Sequence, residues 1–378
     1  MDPTMPGSLT RRRALGALSL PLLTLAGCAT PAPHRAAAVA TEGDTLPEQV
    51  RMVIPYAEGG GTDVWARFLG PNLTGAMDTP CRMLPENLPG GESIIGSNRY
   101  AREAANDGSS VLVASGTTYF QYLLGRPEVE FDFSRLRPLV INAGGGVVYG
   151  AAHAGIHGIG DLFSEGADLR YGGISPTGLD LSVLLAFDVL GLDVRSVFGL
   201  EGRGPARLAL ERGELNLDYQ TTSAYFTQVE PLIADGRATP LMSFGRLAPS
   251  GEVVGDPALP DLPSVRDVYE DVHGDAPSGL AWDAYRTFLA AGFSYQKGIW
   301  VAEDTPDSVV APFFNAVRRL ENNEEFLSEG DKVLGGYPVF AGDEAEEEIR
   351  SALTVSAEVR DYVFDLLATE HGTVVSGA

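Results

Sequence analysis

Residues 51–67 read Arg51-Met52-Val53-Ile54-Pro55-Tyr56-Ala57-Glu58-Gly59-Gly60-Gly61-Thr62-Asp63-Val64-Trp65-Ala66-Arg67. An apolar run ends in a proline, three glycines follow, and Thr62-Asp63 opens a helical pattern. A strand, a tight loop and a helix in that order aim backbone N–H groups and the positive end of a helix dipole at one small volume. Such a volume suits a carboxylate or another small anion. The Lys-Ser/Thr ending of a phosphate-binding P-loop is missing, which argues against nucleotide hydrolysis. Taken alone, the pattern also fits a βα turn with no ligand.

The same pattern recurs along the chain. Gln49–Ile54 reads as a strand and 62–73 as a helix, with Val64, Trp65, Phe68 and Leu69 at helical spacing. Cys81–Pro85 and Ser110–Ala114 read as strands, separated by a helix over 93–105. The second strand ends in Ser115-Gly116-Thr117-Thr118, where open α/β sheets bind ligands. Leu136–Asn142 is another strand, and Gly144-Gly145-Gly146 reads as a crossover into a second half. There Leu169–Gly172, Val194–Phe198 and Leu215–Tyr219 read as strands. They run into Gly173-Ile174-Ser175-Pro176-Thr177-Gly178, Gly199–Ala206 and Gln220-Thr221-Thr222-Ser223. Turns favour such residues anyway; their repetition in both halves is what suggests a cleft. Residues 266–297 are less regular and rich in aromatics, for which core packing is the plainest expectation. Strand 298–301, helix 308–320 and an acidic helix pair over 344–354 and 358–368 complete the pattern.

The N-terminus reads as an address. Arg11-Arg12-Arg13 precedes the apolar stretch Ala14–Leu25, which is too short to span a bilayer and stay. The basic segment fits a twin-arginine or a plain Sec signal. Leu25-Ala26-Gly27-Cys28 resembles a bacterial lipobox, which makes Cys28 the expected lipidation site and residues 1–28 a lipoprotein signal peptide. Residues 29–48, rich in Ala, Pro and Thr, read as a flexible tether. Cys81 is the second of two cysteines, so with Cys28 lipidated no intramolecular disulfide is expected.

The chain carries a formal net charge of −24. That balance argues against a nucleic-acid partner, which needs clustered Lys and Arg. About 330 residues beyond the tether exceed one typical core, so two lobes are expected.

Taken together, these segments resemble the substrate-binding receptors of tripartite tricarboxylate transporters, the Bug-type periplasmic receptors. Residues 53–63 are similar to that family's Pro-aromatic-x-x-Gly-Gly-x-x-Asp signature. Glu86-Asn87-Leu88-Pro89-Gly90-Gly91 with Ile95-Gly96 is similar to its Glu-Asn-x-Pro-Gly-Ala-Gly-Gly-x-x-Gly stretch. Residues 105–108 with 115–117, 202–206 with 212–216, and 259–265 with 304–306 follow in the family's order. Departures are Ile174–Asp180, which lacks the family's Gly/Ser-rich loop and following His, Asn216 in place of an Asp, and the aromatic stretch near 266–297.

The resemblance implies an α/β, two-lobed periplasmic binding protein (type II-like) with a ligand cleft between lobes. It places lobe 1 at 49–142, lobe 2 at 143–297 and a return to lobe 1 with C-terminal helices at 298–378. The ligand it implies is a small organic acid. The expected contacts are Tyr56, Gly59, Gly60, Gly61, Thr62, Asp63, Ser115, Gly116, Thr117 and Thr118 from the first lobe. Thr177, Gly178, Gly202, Gln220 and Thr221 are expected from the second. Asp63 is expected to orient waters or cap the helix, since two anions repel. The resemblance further implies a monomer anchored by lipid at the periplasmic face of a Gram-negative membrane, delivering its ligand to integral-membrane subunits, with no cofactor and no metal.

The rival readings are a periplasmic hydrolase and a receptor that signals without transport. The chain has no Gly-x-Ser-x-Gly pentad for a nucleophile elbow. His153 and His157 are separated by Gly155, which argues against a metal-presenting helix. Sequence does not separate transport from sensing.

Overall fold

Val50, Met52, Val53 and Ile54 are each at most 1 % exposed, so the first strand is buried on both faces, as a strand inside a covered sheet must be. This is β1 (Gln49–Ile54) of a computed structural model that describes residues 45–248 and 250–376. The basic segment at 11–13, the lipidation candidate Cys28 and the tether up to residue 44 lie outside the described residues. Among the described residues, no helix is long and apolar enough to cross a membrane.

The strands that follow are β2 (Arg82–Asn87), β3 (Ser110–Ser115), β4 (Leu136–Asn142), β5 (Gly146–Ala151), β6 (Leu169–Gly172) and β7 (Val194–Val197). After them come β8 (Leu217–Thr221), β9 (Ala238–Ser243), β10 (Arg246–Leu247), β11 (Val253–Val254), β12 (Lys297–Ala302) and β13 (Val339–Ala341). The helices are α1 (Gly61–Ala76), α2 (Ile94–Glu103), α3 (Gly116–Leu123), α4 (Asp180–Val189), α5 (Arg203–Glu211), α6 (Thr222–Ala224) and α7 (Glu230–Ala234). The rest are α8 (Val265–His273), α9 (Leu280–Leu289), α10 (Asp307–Leu320), α11 (Glu324–Leu334), α12 (Glu346–Ala352) and α13 (Ala357–Thr369).

Two mixed sheets organise them. The first has the order β13-β4-β12-β3-β1-β2, with β1 parallel to β2 and β3 and with β12 antiparallel to β3 and β4. The second has the order β7-β6-β8-β5-β9, with β6 parallel to β7 and β8 and with β5 antiparallel to β8 and β9. The chain passes from the first sheet to the second between Asn142 and Gly146, where the sequence placed a crossover. It returns through α8 and α9 to β12. One face of the first sheet packs Val113, Val140 and Ile299 against Trp65 and Leu69 of α1 and Phe313 of α10. The opposite face shares a core with α3, α4, α9 and α13.

Most strands fall where the apolar runs placed them. β5 differs: glycines at 146 and 150 suggest a linker, yet the segment is a central strand. A methyl group on Gly146 would lie 2.4 Å from the Phe244 ring and one on Gly150 2.4 Å from Ile156, so these positions need the smallest residue for packing. The aromatic stretch joins the core as expected: Trp282, Tyr285, Phe288 and Phe293 are buried, and Phe120 meets Phe288 edge-on at 4.8 Å.

Candidate functional site

The loop between β1 and α1 is held from inside by one carboxylate. Asp63, 2 % exposed, accepts the Gly59 N–H at 2.8 Å, the Arg67 Nε–H at 2.8 Å and the Asn87 Nδ2–H at 2.8 Å. Asn87, at the end of β2, also donates to the Tyr56 carbonyl at 3.0 Å and accepts from Arg67 at 2.7 Å. Loop, helix and neighbouring strand are thereby locked together. Burial alone would raise the Asp63 pKa, but the bonds from Asn87, Gly59 and Arg67 outweigh it and hold the carboxyl below its usual range.

This arrangement alters the expected three-glycine nest. The Gly59 amide serves Asp63 and the Gly60 amide turns to the Ala57 carbonyl at 3.3 Å. The donors left to a guest are those of the first turn, Gly61 and Thr62, which no intrahelical carbonyl can reach. Gly59 takes a φ of +75°, a left-handed conformation that a side chain would strain.

Tyr56, Ser115 and Thr118 come together as expected, but toward one another. The Tyr56 hydroxyl lies 2.7 Å from Ser115 Oγ and 2.5 Å from Thr118 Oγ1, and burial raises its pKa. The Ser115 N–H donates to Thr118 Oγ1 at 3.4 Å, which closes a capping box on α3. These hydroxyls pin the start of α3 under the loop. Gly116 allows a close approach: a methyl group there would lie 2.5 Å from Leu179 Cδ2 and 2.9 Å from Gly292 Cα.

Thr117 meets Gly178, where a methyl group would lie 3.7 Å from Thr117 Oγ1, so the strand end of the first sheet touches the loop after β6. Thr177 beside it is tied across the same junction by a residue the sequence reading passed over. Glu92 Oε2 accepts from Thr177 Oγ1 at 2.6 Å and from Gln121 Nε2 at 2.9 Å, and Gln121 Nε2 also donates to the Thr177 carbonyl at 2.8 Å. Glu92 and Ser93 hold φ values of +54° and +78°, a left-handed pair that non-glycine residues adopt at a cost. The signal was present, since these two stand where the quoted family stretch has its last Gly-Gly. Glu92→Gly is expected to relieve the backbone and release the tie. Small-angle scattering of the ligand-free protein should then give a larger radius of gyration with an unfolding free energy within about 1 kcal/mol of the parent. An unchanged radius would mean the tie does not hold the junction closed.

In the second sheet the expected Gly202 and Gln220 flank a largely buried arginine, its side chain 16 % exposed. Arg203 Nη1 donates to Asp180 Oδ1 at 2.6 Å and to the Tyr171 hydroxyl at 2.9 Å. Its Nη2 donates to the Gly172 carbonyl at 3.1 Å and to Asp218. The guanidinium stacks 4.6 Å from the Tyr219 ring centre. Burial acts to lower its pKa, but Asp218, Tyr171 and Asp180 drive it well above the usual arginine value. Burial raises Asp218 despite Arg203 and the Tyr149 hydroxyl. Asp180 also accepts the amides of Ile174 at 3.0 Å and Ser175 at 3.2 Å, which shapes the loop leading to Thr177. Gln220 is buried behind Arg203 and donates to its carbonyl at 3.3 Å, while Thr221 stays partly exposed beside Ser223.

One further charge had no sequence signal. Lys297 opens β12, paired with Ser115 on one side and Asn142 on the other, and is only 8 % exposed. No hydrogen bond or ion pair joins its ammonium to the described residues. A separate hollow of about 530 Å³, lined by His153, His157, Glu211 and Arg237 among others, sits at the Ala151–Ala238 end of the second sheet. That is the far end from Gly146 and Thr221, so it is not part of this junction.

Two α/β sheets with facing glycine- and hydroxyl-rich strand ends are the architecture of a periplasmic binding protein. The chain has the fold of the Bug-type members of that class. No family model matches it. It is 24 % identical over 301 residues to a UPF0065 protein of Bordetella pertussis, across 77 % of this chain and 82 % of that one. It is 33 % identical over 81 residues to protein BugT of the same organism, a match spanning 21 % of this chain and 24 % of BugT. Among solved structures, the periplasmic binding protein BugD superposes with a TM-score of 0.58 at 19 % identity, covering 86 % of this chain and 98 % of BugD. MatC from Rhodopseudomonas palustris, solved with bound malate, superposes with a TM-score of 0.57 at 19 % identity, covering 83 % and 100 %. Of these, BugD is named as a periplasmic binding protein and MatC was solved with a bound organic acid.

Proposed function

We propose that this chain is an extracytoplasmic solute-binding receptor that captures a small organic acid between two lobes and hands it to a tripartite tricarboxylate-type membrane transporter. The observation that carries this reading is the β1–α1 loop. Asp63 holds it rigid, and a 16-residue helix presents its unpaired first-turn amides at the strand ends. That is a preformed acceptor for a carboxylate. The malate seen in MatC belongs to the same chemical class.

In this reading the lobes centre on the two sheets, with boundaries near 49–142 and 298–378 for one and 143–297 for the other. Gly61, Thr62, Thr117, Thr177, Gly178 and Thr221 would line the cleft. Tyr56, Ser115, Thr118 and Gln220 would act from behind by fixing the elements that carry them. A lipid on Cys28 would hold the chain at the membrane, and closure of the lobes on the ligand would distinguish loaded from empty receptor.

The test is a thermal-shift series on residues 46–378, unfolded and refolded to strip carried-over ligand, against mono-, di- and tricarboxylates and neutral controls. One acid at about 100 times its dissociation constant should stabilise the protein by roughly 2.7 kcal/mol and be recovered unchanged. No shift with any acid, or chemical conversion of one, would overturn the reading.

A further inference from the structure

Lys297 as a residue is more than nine-tenths buried, and no hydrogen bond or ion pair among the described residues engages its ammonium. Directly paired residues project to the same face of a sheet, so its side chain shares a face with Ser115 and Asn142. One step down that face lie Val113, Val140 and Ile299, packed on Trp65 and Leu69 of α1. The lysine is therefore the last residue of its row. It caps an apolar layer at the end of the sheet where Ser115 meets Tyr56 and the loop into α1 begins. A second polar atom at the same place is unsatisfied: Asn142 Nδ2 donates to the Pro338 carbonyl at 3.1 Å, but its buried Oδ1 has no partner.

The Lys297 ammonium is not among the fully enclosed polar atoms, so the tip of this largely buried side chain reaches open space at the end of its row, where a desolvated and unpaired charge costs free energy unless something compensates it. Proteins retain such groups where a guest supplies the missing charge. Among the described residues the other buried or mostly buried cations are already paired, Arg137 with Asp307 and Arg203 with Asp180 and Asp218.

We propose that Lys297 is the cationic anchor of the ligand, forming an ion pair with a carboxylate at the floor of the cleft while the first-turn amides of α1 hold it from the side. This rests on the receptor reading above and adds to it a named charge and a class restriction. The site takes carboxylates and rejects neutral solutes of the same shape, which would leave the ammonium unpaired.

Burial lowers the Lys297 pKa to about 8, and no carboxylate or second cation contributes to the shift. A bound carboxylate raises it again. Binding should therefore be independent of pH below about 8 and weaken above it, by roughly tenfold per unit until the bound complex also loses its proton. The neighbouring groups do not titrate in that window. Tyr56 on the β1–α1 loop is pushed upward, Asp63 on α1 is held low and paired with Arg67, and the partners on β3 and β4 are Ser115 and Asn142. Beyond Asn142, Tyr337 is pushed upward and Asp256 is hydrogen-bonded to it.

The experiment compares residues 46–378 with and without Lys297→Met, using the acid identified on the parent protein. The variant should melt higher than the parent without ligand, because a buried unpaired charge has become apolar, and its affinity for the acid should fall at least about 100-fold. If Lys297→Met does not fold, affinity of the parent protein from pH 6.5 to 10 decides the point. A flat profile through pH 8–9.5 overturns the anchor. A variant that keeps the parent's affinity overturns it too and leaves the receptor reading intact. Absence of any acid binding by the parent removes both.

Discussion

Arg203→Met is expected to destabilise the protein by about 3–5 kcal/mol and to lower its melting temperature by on the order of 10 °C. Asp180 and Asp218 are both buried and share one guanidinium, and no other cation is paired with either among the described residues. Removing Arg203 leaves two buried carboxylates, Asp180 bonded by the Tyr171 hydroxyl and Asp218 by the Tyr149 hydroxyl, without a counter-charge. The methionine restores volume but neither the charge nor the donors to Gly172 and Tyr171. Much of the loss should return when Asp218→Asn is added, because the second variant removes one of the orphaned charges. Denaturant unfolding of the parent, the two singles and the double gives the coupling directly. Additive effects would mean the three groups do not act as one cluster.

Asp63→Ala should have the second-largest effect, about 2–4 kcal/mol, together with at least a tenfold loss of acid binding. Three donors lose their acceptor at once: the Gly59 amide, Arg67 Nε and Asn87 Nδ2. Gly59 then has nothing to hold its left-handed turn, and the first turn of α1 no longer faces one direction. The contribution depends on pH with a definite sign. Because the folded-state pKa of Asp63 is depressed, its stabilisation is complete above the unfolded value near 4 and is lost as pH falls through the lower folded value. Parent and Asp63→Asn stabilities should therefore converge below about pH 4 and separate fully by pH 6. A gap that persists unchanged into acid would show that the carboxylate charge is not what the loop uses.

How far the site could be read from the chain differs from residue to residue. Tyr56, Asp63, Ser115 and Thr118 were legible because turn chemistry is local, and each lies within a few residues of the loop or cap it serves. Their roles were less so. Whether a hydroxyl faces a guest or a neighbour depends on what packs above it, and here Tyr56 comes from a strand end 59 residues away from Ser115. Glu92 left a trace, a charged residue in a glycine-rich turn, but its partners Gln121 and Thr177 come from α3 and the loop before α4. Lys297 left none. A lysine at the start of a strand ordinarily reaches water, and its burial follows from pairing with segments more than 150 residues earlier in the chain.

The sequence by itself determined the alternation of strands and helices, the point where the chain changes sheets and the glycine-bearing βα turns, since all of these follow from hydrophobic period and backbone preference over short windows. The tertiary structure alone decided which amides stay free, that β5 is a strand of packed glycines, that Arg203 neutralises two aspartates, and that one largely buried lysine has no partner among the described residues. Those outcomes depend on burial and on the sum of charges around a point, and both are set by residues that meet only when the two sheets assemble.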